Sequence, residues 1–327
     1  MNAQTILIAL GATVGVPGVL VLYSWAADQL VKRFKSRTTQ NHVRPFLWLL
    51  PAVFILVVWL VYPVIQTTVY AFKGPQSQEF VGLRNFLFVF TNGDMLTALR
   101  NNLIWVVVFT TLTVSIGLLM AVMTDKVKYE PVAKSLLFMP MAISYVAAGV
   151  IWRFMYRYEP MGQTQTGTLN AVFTSIFPDF EPIAFHLGQP PWNNFWLIAI
   201  AVWIWAGFCM VILSASLKGV NQDLIDSARI DGCTEWGVFW RIIVPIISST
   251  IVVVVTTMII NVLKIFDIVY VMTNGRLQTE VIANRMYKEM FVTQDYGHAS
   301  AIAVILFLAV VPVIILNIRK FVSGEEA

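Results

Sequence analysis

Long apolar stretches separated by short polar segments dominate the hydrophobic pattern of this chain. An α-helix rises about 1.5 Å per residue, so about 20 apolar residues are enough to cross a hydrocarbon core of about 30 Å. Seven stretches reach or approach this length, and they predict an all-α membrane protein with about seven transmembrane helices. The predicted spans are 6–26, 46–70, 102–123, 135–152, 194–215, 244–263 and 299–317.

One polar interval, 221–245, stands between two of these stretches and carries strong helix signals. Asn221 or Asp223 can cap a short helix that runs through Ile230, because either side chain accepts from the free N–H groups of a first turn. Gly232 stands where a left-handed residue ends a helix, and Thr234 begins the next helix. The interval therefore predicts a helix–turn–helix that projects from the membrane.

This interval resembles the EAA loop of ABC-importer permeases. In that loop a Glu-Ala-Ala triplet precedes an Asp-Gly-Ala triplet by two residues, and Phe, Ile, Leu and Pro follow at set intervals. The chain departs mildly from the pattern, and Ser249 replaces a second proline. The resemblance implies that the first helix docks into a cleft of an ATPase subunit. The coupling residues it implies are Asp226, Ser227, Ala228, Asp231, Gly232 and Cys233.

Composition and charge agree with a membrane protein. Only 12% of residues are charged and 58% are hydrophobic, whereas about a quarter of a globular chain is charged. With the 221–245 loop in the cytoplasm, the 68 inner residues carry 13 Lys or Arg and the 112 outer residues carry 9. This bias follows the positive-inside rule, and its largest contribution is the cluster of basic residues between 32 and 44.

The pattern also predicts how the chain is divided. Residues 1–45 are expected to be an additional N-terminal span, with its N-terminus outside, and a basic linker. Residues 46–320 are expected to be a permease core that contains the coupling loop 221–245, and 321–327 a cytoplasmic tail. The outer segment 158–193 is rich in Gly and Pro and is either a docking surface for an outer partner or a connector.

Two further stretches resemble carbohydrate permeases. Residues 80–83 (Phe-Val-Gly-Leu) are similar to a segment of the maltose and glycerol-phosphate importer group, and residues 266–275 to permeases for α-glucosides. Together with the extra first span, they resemble the first membrane subunit of such importers. The implied solute is a sugar or glycoside, such as an α-glucoside, a disaccharide or a glucosylated osmolyte.

The resemblance also implies the partners. They are a second permease subunit, two ATPase subunits, an extracytoplasmic solute-binding protein and the lipid of a bacterial cytoplasmic (inner) membrane, and no nucleic acid. The sequence contains no Gly-x-x-x-x-Gly-Lys-Ser/Thr stretch, so ATP and Mg are expected on the partner ATPase. No cofactor, catalytic residue or metal ligand is expected in this chain.

Other functions remain open at this point. The solute could be a glycerol phosphate or an oligosaccharide. An ion-coupled secondary transporter would need ionisable groups at mid-membrane, and the spans offer only Lys264 and Asp267 near one edge. If the sixth helix continues to Asp267, these two residues lie three apart and form either a structural ion pair or part of the pathway. A membrane scaffold without transport would leave the loop around Gly232 unexplained.

A sugar site needs flat aromatic rings beside amide donors and acceptors. Positions on the fifth and sixth spans share one helical face each and resemble the sugar-contacting positions of the maltose-type first permease. Met258, Val262 and Ile265 replace polar contacts of that permease, which leaves Asn261 as the main amide. Alternatively, Asn261 bonds to a neighbouring helix and the rings are packing. The pathway residues so expected are Ile204, Trp205, Phe208, Met258, Asn261, Val262 and Ile265.

Overall fold

The structure is a computed structural model that describes residues 3–34 and 36–324, and the side chains of all of these except 3–10, 12, 14, 16 and 320–324. Most of the described residues are helical, and they contain no strand beyond an isolated bridge between Lys73 and Phe80. This confirms the predicted all-α class. The chain divides into two compact units, residues 1–67 and 68–327.

The first unit contains α1 (Ala3–Lys32) and α2 (Arg37–Leu56), which continues through a π-helical turn at Val57–Val61 into α3 (Tyr62–Tyr70). The Tyr23 hydroxyl donates to the Leu47 carbonyl at 2.6 Å, and Arg44 pairs with Asp28 at 3.1 Å. These bonds hold α1 and α2 side by side. The predicted domain boundary at residue 45 lies within α2.

The second unit contains the remaining helices. In chain order they are α4 (Arg84–Thr91), α5 (Gly93–Ile104), α6 (Thr110–Thr124), α7 (Glu130–Phe138), α8 (Tyr145–Met155), α9 (Thr168–Ile176), α10 (Trp192–Lys218), α11 (Gln222–Ile230), α12 (Glu235–Val238), α13 (Val244–Ile246), α14 (Ser248–Leu263), α15 (Asp267–Met272), α16 (Ile282–Phe291) and α17 (Tyr296–Gly324). Two π-helical turns, Trp105–Phe109 and Phe239–Ile243, join α5 to α6 and α12 to α13, and a 3-10 turn, Met139–Ala142, follows α7.

Helix α10 is at the centre of this unit and packs most extensively against α6. Gly117 of α6 permits the close approach, because a Cβ there would lie 2.5 Å from the Cys209 Cβ of α10. The hydrophobic core surrounds this contact and includes residues of α14 and α15.

Within the described residues, four helical runs are long and apolar enough to cross a membrane, and two bent helix pairs raise the number to six. These six coincide with the predicted spans from 46–70 onward. The predicted span 6–26 lies within α1, and the side chains of some of its residues are not among the described ones. The continuous runs are Arg37–Tyr70, Gly93–Thr124, Trp192–Lys218 and Tyr296–Arg319.

The predicted fourth span, 135–152, is not one straight helix. It is broken between Ala142 and Tyr145, where the two helical segments meet at 98°. Pro140 lacks a backbone donor, and Ser144 caps α8 by accepting from the Ala147 N–H at 3.2 Å. Gly207 of α10 makes room for the break, since a Cβ there would lie 2.2 Å from the Leu137 carbonyl oxygen.

The sixth span ends at Leu263 as predicted, but it is bent at its start and lacks the further turn to Asp267. The helix that enters it from Glu235 bends by 70° at Ile247, and α14 begins only at Ser248. At the outer end α14 stops at Leu263, and Phe266 adopts a non-helical backbone before α15 begins at Asp267. The predicted continuous helix from Lys264 to Asp267 is therefore wrong, and the two residues stand on opposite sides of a helix break.

Candidate functional site

The 221–245 loop folds as a helix–turn–helix with the predicted caps. The Asn221 side chain accepts from the Asp223 N–H at 2.9 Å, and the Thr234 hydroxyl accepts from the Gly237 N–H at 3.2 Å. Gly232 has φ +84°, and the N–H groups of Gly232 and Cys233 donate back to Arg229 and Ala228 at 3.0 Å. This pair of bonds is a Schellman motif, which closes α11 and turns the chain sharply.

An ion-pair brace connects the two helices of the loop. Arg229 donates to both carboxylate oxygens of Glu235, at 2.8 and 3.1 Å, and to Asp226 at 3.0 Å. Its hydrogen bond to Glu235 raises the pKa of Arg229, and the same bond lowers the pKa of the Glu235 carboxyl. This brace was not predicted from the sequence, although Arg229 lies three residues after Asp226 and six before Glu235.

The surface of the loop is apolar for a segment outside the membrane. Ile230 is 87% exposed and Trp236 is 72% exposed, and Leu224 also faces outward. Of the predicted coupling residues, only Ala228 is buried. Asp226, Ser227, Asp231, Gly232 and Cys233 are exposed on the turn and on the helix before it. Exposed apolar side chains on a braced turn are suited to a protein contact.

A polar network fixes the same end of the molecule just before this loop. Lys134 of α7 pairs with Asp125 at 2.8 Å and Glu130 at 2.5 Å, and it contacts the hydroxyl of Ser214 on α10. Lys218, at the end of α10, pairs with Glu130 at 2.5 Å. The turn between α6 and α7 is thereby connected to the residues from which the loop emerges.

Six of the seven predicted pathway residues lie in or against one hydrophobic cluster. Ile204, Met258, Val262 and Ile265 are buried within it. Trp205 and Phe208 are half-buried and pack on it, with their ring centroids 5.5 Å apart in an edge-to-face arrangement. The structure thus brings the predicted faces of α10 and α14 into a common core, and the side chains that remain accessible are those of Trp205, Phe208 and Asn261.

Two polar details of this region differ from a simple amide site. Asn261 donates to the Thr257 carbonyl of its own helix at 2.9 Å, which occupies one of its donors. Trp205 donates its indole N–H to the hydroxyl of Tyr145, the first residue of α8 after the helix break. Tyr145 was not predicted as a site residue, because its position beside α10 depends on the break between α7 and α8.

Asparagines at the entrances of two spans hold the outer segment 274–281. Asn101 of α5 donates to the carbonyls of Gln278 and Glu280 at 2.7 and 2.8 Å, and Asn193 of α10 donates to that of Leu277 at 2.8 Å. Leu277 and Gln278 both have left-handed backbones, with φ of 56° and 58°. Such conformations cost about 1 kcal/mol or more per residue, so the asparagines have to maintain them.

Three residues beside this segment have the chemistry of metal ligands. Ligand atoms of Glu289, Asp295 and His298 lie within 4.8 Å of one another. Arg285 already pairs with Glu289 at 2.6 Å, and His298 pairs with Asp295 at 2.9 Å. A nearby guanidinium disfavours a second cation on Glu289, so the group is better described as an ion-pair network.

Comparison with known proteins gives consistent matches. Residues 113–323 match the family described as "Binding-protein-dependent transport system inner membrane component". The chain is 52% identical over 280 residues to the osmoprotective compounds uptake permease protein GgtC of Synechocystis sp., covering 86% of this chain and 99% of that one. It is 45% identical over 281 residues to the alpha-glucoside transport system permease protein AglF of Rhizobium meliloti, covering 86% and 83%.

A solved structure shows the same fold. The chain superposes with a TM-score of 0.72 on a chain of a bacterial ABC transporter involved in the import of the acidic polysaccharide alginate. The match covers 87% of this chain and 99% of that one, at 25% identity.

Proposed function

The chain belongs to the family of inner membrane components of binding-protein-dependent transport systems, and we propose that it is the first-type permease subunit of an ATP-driven importer for a sugar or glycoside. An α-glucoside, a disaccharide or a glucosylated osmolyte is the proposed solute. The names of the two relatives, for osmoprotective compounds and for alpha-glucosides, support this class. The observation that carries the transport function is the braced, exposed turn at Gly232 beneath the membrane spans.

The partners follow from this assignment. A second permease subunit would complete the pathway, two ATPase subunits would hold ATP and Mg, and an extracytoplasmic binding protein would deliver the solute. The protein would be a multi-pass component of the bacterial cytoplasmic membrane, as the excess of basic residues on one side supports. The hydrolytic chemistry belongs to the ATPase subunits, and this chain would convert their motion into a change of access.

Coupling would pass through the 221–245 loop. Exposed Leu224 and Ile230 present apolar side chains to a cleft of the ATPase, while Asp226 to Cys233 form the turn. Because Arg229 ties the turn to Glu235, a displacement of α11 moves α12 with it. The Lys134 network joins the start of the loop to α6 and α7, so the displacement reaches those helices as well.

The solute would meet the accessible aromatic rings of α10. Trp205 and Phe208 offer ring faces to the C–H surfaces of a sugar, and Tyr145 holds the Trp205 indole in place. Asn261 would supply an amide oxygen and its remaining N–H, while Met258, Val262 and Ile265 form the packed wall behind it.

Purification and uptake test this proposal. The purified chain is expected to bring with it a second permease and two ATPase subunits, and the reconstituted complex to import one solute of a panel of glucosides, disaccharides, oligosaccharides and glycerol phosphates. A binding survey of the partner solute-binding protein selects that solute. A chain that copurifies without an ATPase, or a complex that imports only glycerol phosphate, would contradict the assignment.

The site is tested by substitution. Trp205→Ala and Asn261→Ala are each expected to lower uptake at limiting solute by about tenfold or more while the complex still assembles, because each removes a contact with the solute. Asn261→Leu keeps the side-chain size without the amide. If Asn261→Leu imports as well as the wild type at limiting solute, Asn261 has no role in the pathway.

A further inference from the structure

Four aromatic side chains form a continuous strip on the outer segments that follow α14. Phe266 contacts Tyr270 and Tyr287 with ring centroids 5.1 and 5.2 Å apart, and Tyr270 and Tyr287 are also 5.2 Å apart. Phe291 extends the strip from Tyr287 at 4.9 Å. Tyr270 is 39% exposed and Phe291 is 66% exposed, so the rings face outward rather than into the core.

The strip lies outside the candidate membrane spans of the described residues. Helices α15 and α16 have 6 and 10 residues, which is too short to cross a membrane. Their aliphatic residues, such as Ile268 and Ile282, are buried on the opposite faces. Exposed Lys264 and half-buried Asp267 flank the rings, and charged groups of this kind are costly in lipid.

The two tyrosine hydroxyls give the strip a polar edge. The hydroxyl of Tyr287 is hydrogen-bonded to that of Tyr270, and this bond raises the pKa of Tyr287. Ring faces and phenolic hydroxyls together match a carbohydrate, which has flat C–H surfaces and a rim of hydroxyls.

The strip also begins next to the hydrophobic cluster on which Trp205 and Phe208 pack, because that cluster contains Ile265. Phe266 directly follows Ile265 in the chain, and Asp267 interacts electrostatically with Tyr145, the partner of Trp205. Helix α8 packs closely on α15 at this point, because a Cβ at Gly149 would lie 2.9 Å from a methyl group of Val271. The strip and the aromatic face of α10 therefore lie in neighbouring parts of the second unit.

We propose that Phe266, Tyr270, Tyr287 and Phe291 form an outer carbohydrate-binding platform, on which a sugar ring stacks before it passes to Trp205. The inference rests on the proposed function, since it names where the imported solute first contacts this subunit. The platform raises the local concentration of sugar at the mouth of the pathway, so its loss matters most when the solute is scarce.

The test uses the reconstituted importer with its binding protein, and tritiated sucrose, maltose and glucosylglycerol as probes. The double variant Tyr270→Leu/Phe291→Leu is expected to lower uptake at limiting solute by about fivefold and to have a much smaller effect at saturation, because two stacking faces are lost. Tyr270→Trp/Phe291→Trp is expected to retain uptake. The matched control is Phe80→Leu/Phe90→Leu, which removes two exposed rings from α4 and the segment before it and is expected to have no effect.

Photocrosslinking identifies what covers the strip. With p-benzoylphenylalanine in place of Phe291, illumination is expected to transfer tritium from the imported probe to this chain. Crosslinks to the second permease or the binding protein without tritium would overturn the platform, as would unchanged uptake in the leucine variant. Loss of assembly or of ATP hydrolysis stimulated by the binding protein would identify the strip as a protein interface instead.

The failure of this inference is distinguishable from failure of the proposed function. If the wild-type complex imports none of the three probes nor any other sugar of the panel, both are refuted. If the wild-type complex imports a sugar and the leucine variant imports it equally well, only the platform is refuted.

Discussion

Gly232 and Arg229 show how individual residues determine the shape of the coupling loop. A φ of +84° is accessible to glycine at little cost, whereas a residue with a Cβ meets its own backbone there. The surroundings are open, since no neighbouring atom lies within 4 Å of an added Cβ. The requirement at this position is therefore purely one of backbone conformation, and the brace at Arg229 then sets the angle between the helices.

Substitution of Gly232 separates backbone conformation from size. Gly232→Pro cannot adopt a positive φ and loses the N–H that bonds to Arg229, so we expect ATP hydrolysis to continue while uptake falls to background. Gly232→Asn is the control, because asparagine tolerates the left-handed region better than other residues. Uptake and hydrolysis measured on the same vesicles test this, and normal uptake by the proline variant would contradict it.

Removing the brace should weaken coupling without unfolding the spans. Arg229→Gln and Glu235→Gln each remove the ion pair, and we expect each to lower the ratio of solute imported to ATP hydrolysed severalfold, with the double variant no worse than either single one. Additive effects in the double variant would show that the two residues act independently. The lowered pKa of Glu235 means that the brace is complete above the ordinary carboxyl range and is lost as pH falls through the lowered value.

At the scale of elements, the sequence was most informative where hydrophobic stretches are long and where the caps are local. The caps at Asn221, Gly232 and Thr234 follow from neighbouring residues, and they are confirmed. The break between α7 and α8 and the bend at Ile247 were not predicted as such. A proline indicates that a helix can break, but whether it bends or stops depends on what packs against it.

The contacts of the candidate site were likewise only partly predictable from the sequence. Helical periodicity placed Met258 and Val262 on one face of α14, and the structure buries that face against other helices. Tyr145 was missed because it comes beside Trp205 only through the bend at Ser144. Periodicity therefore identifies which residues share a face, whereas the partner of that face is decided by tertiary packing.

The packing of Gly207 against the break between α7 and α8 can be tested directly by substitution. Its position lets the Leu137 carbonyl and the Phe138 backbone lie directly on α10. We expect Gly207→Ala to destabilise the protein by about 1–3 kcal/mol, because rigid backbone rather than a flexible side chain would have to shift. Gly93→Ala is the matched control, since an added Cβ meets nothing within 4 Å there. The measurement is the thermal stability of the detergent-solubilised protein, and equal stabilities would show that the break does not pack as closely as described.

At the scale of the whole molecule, α10 takes part in features along the length of the second unit, from the predicted outer end to the predicted inner end. Asparagines on α5 and α10 hold the outer segment, aromatic rings follow α10 inward, and the Lys134 network joins α10 to the coupling loop. Helix α10 takes part in all three. A transporter that changes access needs such a connection between its ends, and a rigid central helix can provide it.

Cysteine labelling tests on which side of the membrane the coupling loop and the segment 158–193 lie. Cys233 is exposed in the coupling loop and Cys209 is buried in α10, so an impermeant maleimide is expected to label Cys233 alone, and only from the cytoplasmic side. In a Cys233→Ser background, Thr164→Cys places a thiol on the exposed outer segment, and we expect it to be labelled only from the opposite side. The charge bias predicts this arrangement because translocation of basic loops is disfavoured.

Inverted and right-side-out vesicles, labelled in parallel and analysed by mass shift, distinguish the two sides. Labelling of both positions from one side would require an odd number of crossings to be lost between residues 164 and 233, where α10 is the continuous span. That result would remove the coupling loop from the ATPase side and the proposed function with it.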